Sequence, residues 1–317
     1  MPNVSYSETS SYQLCKRKHW YGYTRSLQKA TTSTGLALGS AGHRILESYY
    51  KVILAAGDTR KEQKAAMPAA LLAARAEHEA IKEEGFSPAD NRATLEEVLF
   101  EFYFANEPLV NEGYLIQAVE QEFKLDVQME DGETYGTVMV VDLICVDSGG
   151  RTVIVDHKFL YNFNTYEDAE LAPQIPLYIA GLRGLGYKID YGLYNMVRTM
   201  VIKGTKDKKT GTYPGATLEQ RLKTLELKPN GIRVGRTFAE QIDTAQVITR
   251  AKLLPLEVQD LRAHRTANKM VCNSCDFKDL CVSDLQGGNS ELMIKSMFKL
   301  RERKVFADSV DAEEVSA

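Results

Sequence analysis

Two apolar runs, TYGTVMVVDLICVD (134–147) and RTVIVDHKFL (151–160), are separated only by Ser148-Gly149-Gly150. So short a turn folds the runs into an antiparallel hairpin, and the hairpin limits what its neighbours can be. Ahead of it, YLIQAVEQEFKLDVQM (114–129) alternates polar and apolar residues and meets the hairpin through Asp131-Gly132, a turn signal. The three runs read as an antiparallel meander. A helix opened by Pro173 and ended by Gly184 and Gly186 follows, then a fourth strand, IDYGLYNMVRTMVI (189–202). Meander, helix and strand predict an α/β core with a mixed sheet flanked by helices.

The first third has the helical period instead. Residues 36–56 place Leu38, Ile45, Leu46, Tyr49, Tyr50, Val52 and Ile53 near helical spacing, with a helix from about Ser40. Residues 61–84 are rich in Ala, Lys and Glu. In 93–106, Leu95, Val98, Leu99 and Phe102 form a stripe. Beyond the fourth strand, 203–215 is a basic, Gly-containing loop, read as a solvated hairpin tip or, more pointedly, a DNA contact. A helical stretch follows over 238–265, kinked at Pro255, and the end, ADSVDAEEVSA, has a disordered composition. The expected divisions are an N-terminal segment (1–30), a helical region (31–112), a core (113–235), a second helical region (236–303) and an acidic tail (304–317).

A chain of 317 residues accommodates one large domain with elaborations, at ~150 residues per domain. No run approaches the ~18 apolar residues of a membrane span, so no membrane role is expected. The polar N-terminus lacks a secretory pattern, and five cysteines are an odd number. Both point to a cytoplasmic protein with reduced thiols. A net charge of −4 argues against a surface that coats nucleic acid generally, but not against a local basic groove.

The charges inside the hairpin need explaining. Asp156 and Lys158, two apart on a strand, share a face. If Asp147 to Arg151 closes the turn, residues whose numbers sum to about 298 face each other, which sets Asp142 opposite Asp156; a slip of one would separate them. Adjacent carboxylates repel by ~1 kcal/mol or more when poorly solvated. A divalent cation removes the conflict, and carboxylate oxygens with open positions suit Mg²⁺ or Mn²⁺. Lys158 beside it would orient an attacking water or stabilise phosphate charge. The plainer alternative is a buried Asp–Lys pair. Gln174 and Tyr178, four apart, share a helix face, where they can contact a phosphate or a base, orient the lysine, or simply pack. His43, after Gly39 and Gly42, is a packed or capping residue unless a metal is near, when it becomes a ligand.

A second constellation is Cys272-x2-Cys275-x5-Cys281. Three thiols in ten residues point to Zn²⁺ or an iron–sulfur cluster. For the fourth ligand, Cys15 in SYQLCKRKHWYGY is the choice, with His264 an alternative for zinc. Cys145, amid Leu143, Ile144 and Val146, reads as a small buried hydrophobe. The CKRKHWYGY segment, with Lys16, Arg17, Lys18, Trp20, Tyr21 and Tyr23, either offers charge and stacking to single-stranded DNA or covers the cysteine site with Trp20 and Tyr21 inward.

Asp142, a turn, Asp156-His157-Lys158 and Gln174-Ile-Pro-Leu-Tyr178 together resemble the PD-(D/E)xK nuclease superfamily. With the upstream His43 they are similar to its RecB-type exonuclease branch. The lone Cys and distant Cys triplet resemble its iron–sulfur members, the AddB-type nucleases and those associated with CRISPR adaptation. The resemblance implies a restriction-endonuclease-like core, with Asp142 and Asp156 holding Mg²⁺ or Mn²⁺, His43 adding a ligand and Lys158 catalytic. It implies Glu120 as a further acidic member, with Glu122 a competitor, and Gln174 and Tyr178 on the substrate side. It also implies a [4Fe–4S] cluster on Cys15, Cys272, Cys275 and Cys281. The family often has a glycine just before its first Asp; here Met139-Val140-Val141 stand there, and Asp147, at the turn, is the lower-ranked alternative. The function expected is a metal-dependent DNA exonuclease acting on single strands or DNA ends. The alternatives are a cluster-bearing DNA-binding or recombination accessory protein, or a zinc scaffold with no nucleic-acid role. No G-x-x-x-x-G-K-[ST] is present, so unwinding would fall to a helicase or recombination partner.

Overall fold

The computed structural model of the chain describes residues 3–30, 34–83, 93–128, 134–161, 174–199, 217, 219–220, 223, 232–238, 265–266, 268–273 and 275–301. The chain divides into two compact units: Met1–Thr32, Glu122–Met139 and Ala245–Ala317 form one; Ser33–Gln121 and Val140–Thr244 form the other.

The second unit carries the predicted sheet. In chain order its strands are β3 (Leu115–Gln128) and β4 (Thr134–Val146), both of which begin or end in the other unit, then β5 (Thr152–Leu160), β6 (Tyr191–Arg198) and β7 (Ile232–Phe238). β3 pairs with β4. β4 and β5 are antiparallel, β5 and β6 parallel, β6 and β7 antiparallel. The β4–β5 register runs from Leu143↔Val155 to Val146↔Thr152, so facing residues sum to 298 as the turn required. Asp147 sets this register. Its Oδ1 accepts the N–H groups of Gly149 (2.9 Å) and Arg151 (3.0 Å), and its Oδ2 accepts Arg151 Nε (2.9 Å) and Tyr191 O–H (3.0 Å). Asp147 is therefore a turn residue, and Gly150 supplies the positive φ of 77° that the turn needs.

The helices are α3 (Thr34–Ala55), α4 (Arg60–Ala65), α5 (Met67–Glu83), the π-wound segment Glu96–Tyr103 with its short α-helical end α6 (Phe104–Asn106), and α7 (Gln174–Gly184). One face of the sheet packs Leu143, Cys145, Val153, Val155, Leu193 and Val197 into a core shared with Ile45, Leu46, Tyr49 and Ile53 of α3. α7 packs on β5 and β6. β6 is consequently buried along its whole length, the mark of a strand covered on both faces.

Several elements differ from the expected ones. α3 starts at Thr34 rather than near Ser40, because Leu38 is fully buried and its packing overrides the local cost of Gly39. The single helix expected over 61–84 is two. A Thr59–Glu62 capping box starts α4, and Pro68, lacking an N–H, fits the first turn of a new helix. β7 was not anticipated, although Ile232, Val234 and Phe238 alternate with polar residues as a strand should.

The first unit holds β1 (Asn3–Ser5), α1 (Tyr6–Leu14), α2 (Lys16–His19), β2 (Leu27–Lys29), the helices Lys269–Asn273, Lys278–Leu285 and Ser290–Met297, and β8 (Phe298–Leu300). β1 pairs in parallel with Gly136–Val138, and β2 with β8 antiparallel. Tyr21, Leu27, Phe277, Leu280 and Phe298 form its apolar cluster, against which Trp20 packs. The basic, aromatic CKRKHWYGY segment is thus turned largely inward. Arg17 pairs with Asp284 at 2.5 Å and lies 4.3 Å from the Trp20 ring, and the Tyr21 hydroxyl also bonds Asp284. Tyr21 lies within this apolar cluster and Trp20 packs on it, the inward arrangement among the segment's two readings. Loop 203–215, the Asp131-Gly132 turn, Pro173, most of the helical stretch expected over 238–265 with Pro255 and His264, and the tail 304–317 lie outside the described residues. No helix among the described residues is long and apolar enough to cross a membrane.

Candidate active site

The charged side chains converge at one end of the sheet in the second unit. Asp142 sits on β4 one residue beyond the Leu143↔Val155 pair, and its Oδ2 accepts the backbone N–H of His157 at 2.6 Å. His43 on α3 brings its Nδ1 to 3.4 Å from the same oxygen. Ligand atoms of His43, Glu120 and Asp142 all lie within 4.8 Å of one another, the only such group of three among the described residues. Glu120 reaches this position with a φ of 50°, left-handed backbone in the middle of β3. A non-glycine residue in that region carries strain of about 1–3 kcal/mol, of the kind found at functional sites. Glu120 rather than Glu122 is therefore the acidic residue brought to Asp142.

Asp156 and Lys158 form the other half. Lys158 Nζ lies 2.5 Å from Asp156 Oδ2 and donates to Gln174 Oε1 at 2.8 Å. Gln174 Nε2 donates to the Tyr178 hydroxyl at 3.1 Å. Tyr194 accepts the N–H of Ile175 at 3.2 Å and so fixes the start of α7 beside the lysine. The ammonium is held between a carboxylate and an amide oxygen. Asp156 stands outside the 4.8 Å group, paired with Lys158, so the structure combines both readings of the strand charges: an Asp–Lys pair beside a carboxylate–imidazole cluster.

The electrostatics record the crowding. Burial and then the Asp142 charge push the Asp156 carboxyl up to about 6, against the pull of Lys158. Burial would also raise Asp142, but the His43 imidazole and the His157 N–H outweigh it and bring the value down to about 2. Burial lowers His43, yet Asp142 and Asp156 raise it overall. Two carboxylates and one imidazole with open positions fit a hard divalent ion such as Mg²⁺ or Mn²⁺, and a cation there would relieve the repulsion that burdens Asp156. The donor set passes that test.

Two glycines let the helices approach. A Cβ on Gly42 would lie 2.4 Å from the Phe159 ring, and one on Gly192 would lie 2.1 Å from Ile175 Cγ2. The first contact seats His43 and the second seats Gln174, each one residue away in sequence. The sequence reading gave no role to His157, Glu107, Tyr50, Tyr103 or Asn195, all buried beneath this site. Asn195, a polar residue in the middle of the strand YGLYNMVR, was the available signal.

Cys15, Cys272, Cys275 and Cys281 belong to the first unit. Thr266 joins two of them: its N–H reaches Cys15 Sγ at 3.5 Å, and its carbonyl accepts from Cys272 Sγ at 3.5 Å. Arg265 Nε lies 3.2 Å from Cys281 Sγ. Cys275 and Cys281 pack against the Tyr21–Phe277 cluster. Burial would raise Cys15, but amide donors from Thr266, Lys18 and Arg17 lower it overall; burial raises Cys275. No three of the sulfurs meet within 4.8 Å. Cys145 is fully buried, as a small core residue.

A family model described as PD-(D/E)XK nuclease superfamily matches residues 3–282, a span containing both the carboxylate site and Cys15, Cys272, Cys275 and Cys281. No curated protein matches the chain. A solved structure titled "Crystal structure of SSO0001" is similar at 12% identity over 86% of this chain and 95% of that one, with a TM-score of 0.35. The mixed sheet flanked by helices is the restriction-endonuclease-like arrangement consistent with the family match. From the first strand to the last cysteine, the chain belongs to the PD-(D/E)XK nuclease superfamily.

Proposed function

We propose that the protein is a Mg²⁺- or Mn²⁺-dependent deoxyribonuclease that acts as an exonuclease on single-stranded DNA or DNA ends. The observation that carries the reading is the convergence of His43, Glu120 and Asp142 beside the Asp156–Lys158–Gln174 chain. These three residues, with Asp156 adjacent, would hold the divalent ion, which supplies Lewis-acid polarisation of the phosphate and acidifies water. Lys158, anchored between Asp156 and Gln174, orients the attacking water and stabilises negative charge growing on the phosphate. Water adds to phosphorus and gives up a proton to solvent, the phosphorus–oxygen ester bond breaks, and solvent protonates the departing oxygen. Gln174 and Tyr178 keep the lysine in place on the substrate side. Cys15, Cys272, Cys275 and Cys281 would hold a [4Fe–4S] cluster, with Zn²⁺ the alternative, and strand separation would come from a helicase or recombination partner.

The test uses end-labelled linear and circular DNA, single- and double-stranded, with Mg²⁺, Mn²⁺ or chelator. Cleavage of linear but not circular DNA is expected, abolished by chelator and lowered about 10²–10³-fold in Lys158→Ala. Activity that survives Lys158→Ala and Asp156→Ala unchanged discards the mechanism. DNA binding with no metal-dependent cutting would support an accessory DNA-binding protein instead.

A further inference from the structure

Beneath the site, a buried chain of polar groups runs from a glutamate to the strand that carries Asp156 and Lys158. Glu107 is fully buried, and both its oxygens are taken: Oε1 accepts the Tyr50 hydroxyl at 2.7 Å and Oε2 the Asn111 N–H at 3.1 Å. The Tyr50 and Tyr103 hydroxyls lie 2.8 Å apart. Asn195 Nδ2 donates to the Tyr103 hydroxyl at 2.6 Å and lies 3.0 Å from His157 Nδ1. His157 pairs with Asn195 across the parallel β5–β6 ladder, and its ring stacks on Tyr50 at 5.6 Å.

Counting protons gives this chain a direction. With Glu107 ionised, Tyr50 donates its one hydroxyl proton to Glu107, so toward Tyr103 it can only accept. Tyr103 then donates to Tyr50 and accepts from Asn195. The second N–H of Asn195 is left for His157 Nδ1, which must be an acceptor. The imidazole is thereby the neutral tautomer with its proton on Nε2. Reversing the Asn195 amide would make Tyr103 donate to it, leaving the 2.8 Å Tyr50–Tyr103 contact without a proton; the assigned direction gives each contact along the chain one hydrogen and leaves the buried His157 Nε2–H without a side-chain or main-chain acceptor among the described residues.

We propose that Glu107, Tyr50, Tyr103 and Asn195 are positioning residues that lock the His157 ring beneath α3 and so hold the His157 N–H on the carboxylate of Asp142. The inference rests on the metal reading of the site. Groups that orient a metal ligand change metal affinity by about 10–100-fold when removed. Asp142 takes its main-chain hydrogen bond from a residue whose side chain is fixed through Asn195. Loosening the ring frees the backbone that presents the N–H.

Tyr103→Phe removes one hydroxyl; Asn195→Leu removes both donors. Val98→Ala, a change at a fully buried residue with no part in the chain, controls for lost stability. Mn²⁺ binding to the full chain without DNA is measured by the electron paramagnetic resonance of the free ion, and the His157 tautomer by ¹⁵N NMR of the imidazole. The expected result is Mn²⁺ affinity weakened about 10-fold or more in Tyr103→Phe and Asn195→Leu but not in Val98→Ala, with loss of the single Nε2–H tautomer. If Asn195→Leu does not fold, Tyr103→Phe decides alone. Wild-type binding with unchanged affinity in folded Tyr103→Phe overturns the positioning role and leaves the metal reading intact. No Mn²⁺ uptake by the wild type overturns both.

Discussion

Asp142 lies on β4 and Asp147 one residue past its end, five positions on, and the two have opposite tasks. Asp147 collects two main-chain N–H groups, a guanidinium and a tyrosine hydroxyl, so its charge is spent inside the turn. Asp142 meets one N–H and one imidazole and keeps capacity for a ligand. Burial would raise Asp147, but the Arg151 and Gly149 amides, the Arg151 side chain and Tyr191 hold it below the usual carboxylate range. A depressed folded value means that its contribution is complete above the ordinary aspartate value of about 3.9 and fades as pH falls through the lower one. Asp147→Asn should therefore cost about 1–3 kcal/mol at neutral pH, measured by urea unfolding. The gap between variant and wild type should close on acidification; a gap that stays constant down to pH 2 would show that the charge contributes nothing.

At the scale of elements, the site depends on how closely two helices approach the sheet. α3 reaches β5 through Gly42, where no side chain fits against Phe159. His43 follows directly, its ring 5.8 Å from Phe159 and 6.2 Å from His157. Overpacking of this kind costs about 1–3 kcal/mol unless the neighbour yields. Gly42→Ala should lower thermal stability and weaken Mn²⁺ binding, because it moves His43 away from Asp142. Trimming the facing ring in Gly42→Ala/Phe159→Leu should restore part of both. Strictly additive losses in that double-mutant cycle would refute the contact as the cause. The π-wound segment Glu96–Tyr103 matters at the same scale, since it delivers Tyr103 to the buried chain under β5 and β6.

For the whole molecule, the division of labour follows the two units. The carboxylates, His43, Lys158, Gln174 and Tyr178 all lie in Ser33–Gln121 and Val140–Thr244, whereas Cys15, Cys272, Cys275 and Cys281 lie in the unit built from both chain ends and Glu122–Met139. A group bound by Cys15 together with the C-terminal triplet would close a loop of most of the chain, which restrains the unfolded state strongly. Purified without oxygen, the wild type is expected to be brown with absorption near ~400 nm, the mark of iron–sulfur ligation proposed for such thiolates. Cys15→Ser should bleach it and lower the melting temperature. A colourless wild type containing one zinc would place zinc at the cysteines instead.

The sequence alone determined the hairpin, its register and the order of meander, helix and strand, because a three-residue turn leaves the pairing of two β-runs little freedom. It also marked Asp142, Asp156, Lys158, His43, Gln174 and Tyr178, since charges in an apolar strand and polar residues at helical spacing are visible without coordinates. Tertiary structure decided the rest. The choice of Glu120 over Glu122 turns on one residue of left-handed backbone within β3, which no period-two pattern predicts. The pairing of Asp156 with Lys158, and the meeting of His43, Glu120 and Asp142, depend on how close α3 and α7 come to the sheet. The buried path from Glu107 to His157 joins residues up to 145 positions apart, Tyr50 to Asn195, through hydrogen bonds that exist only once both faces of the sheet are covered. Local pattern is set by nearest neighbours along the chain; a site is set by groups that only packing brings together.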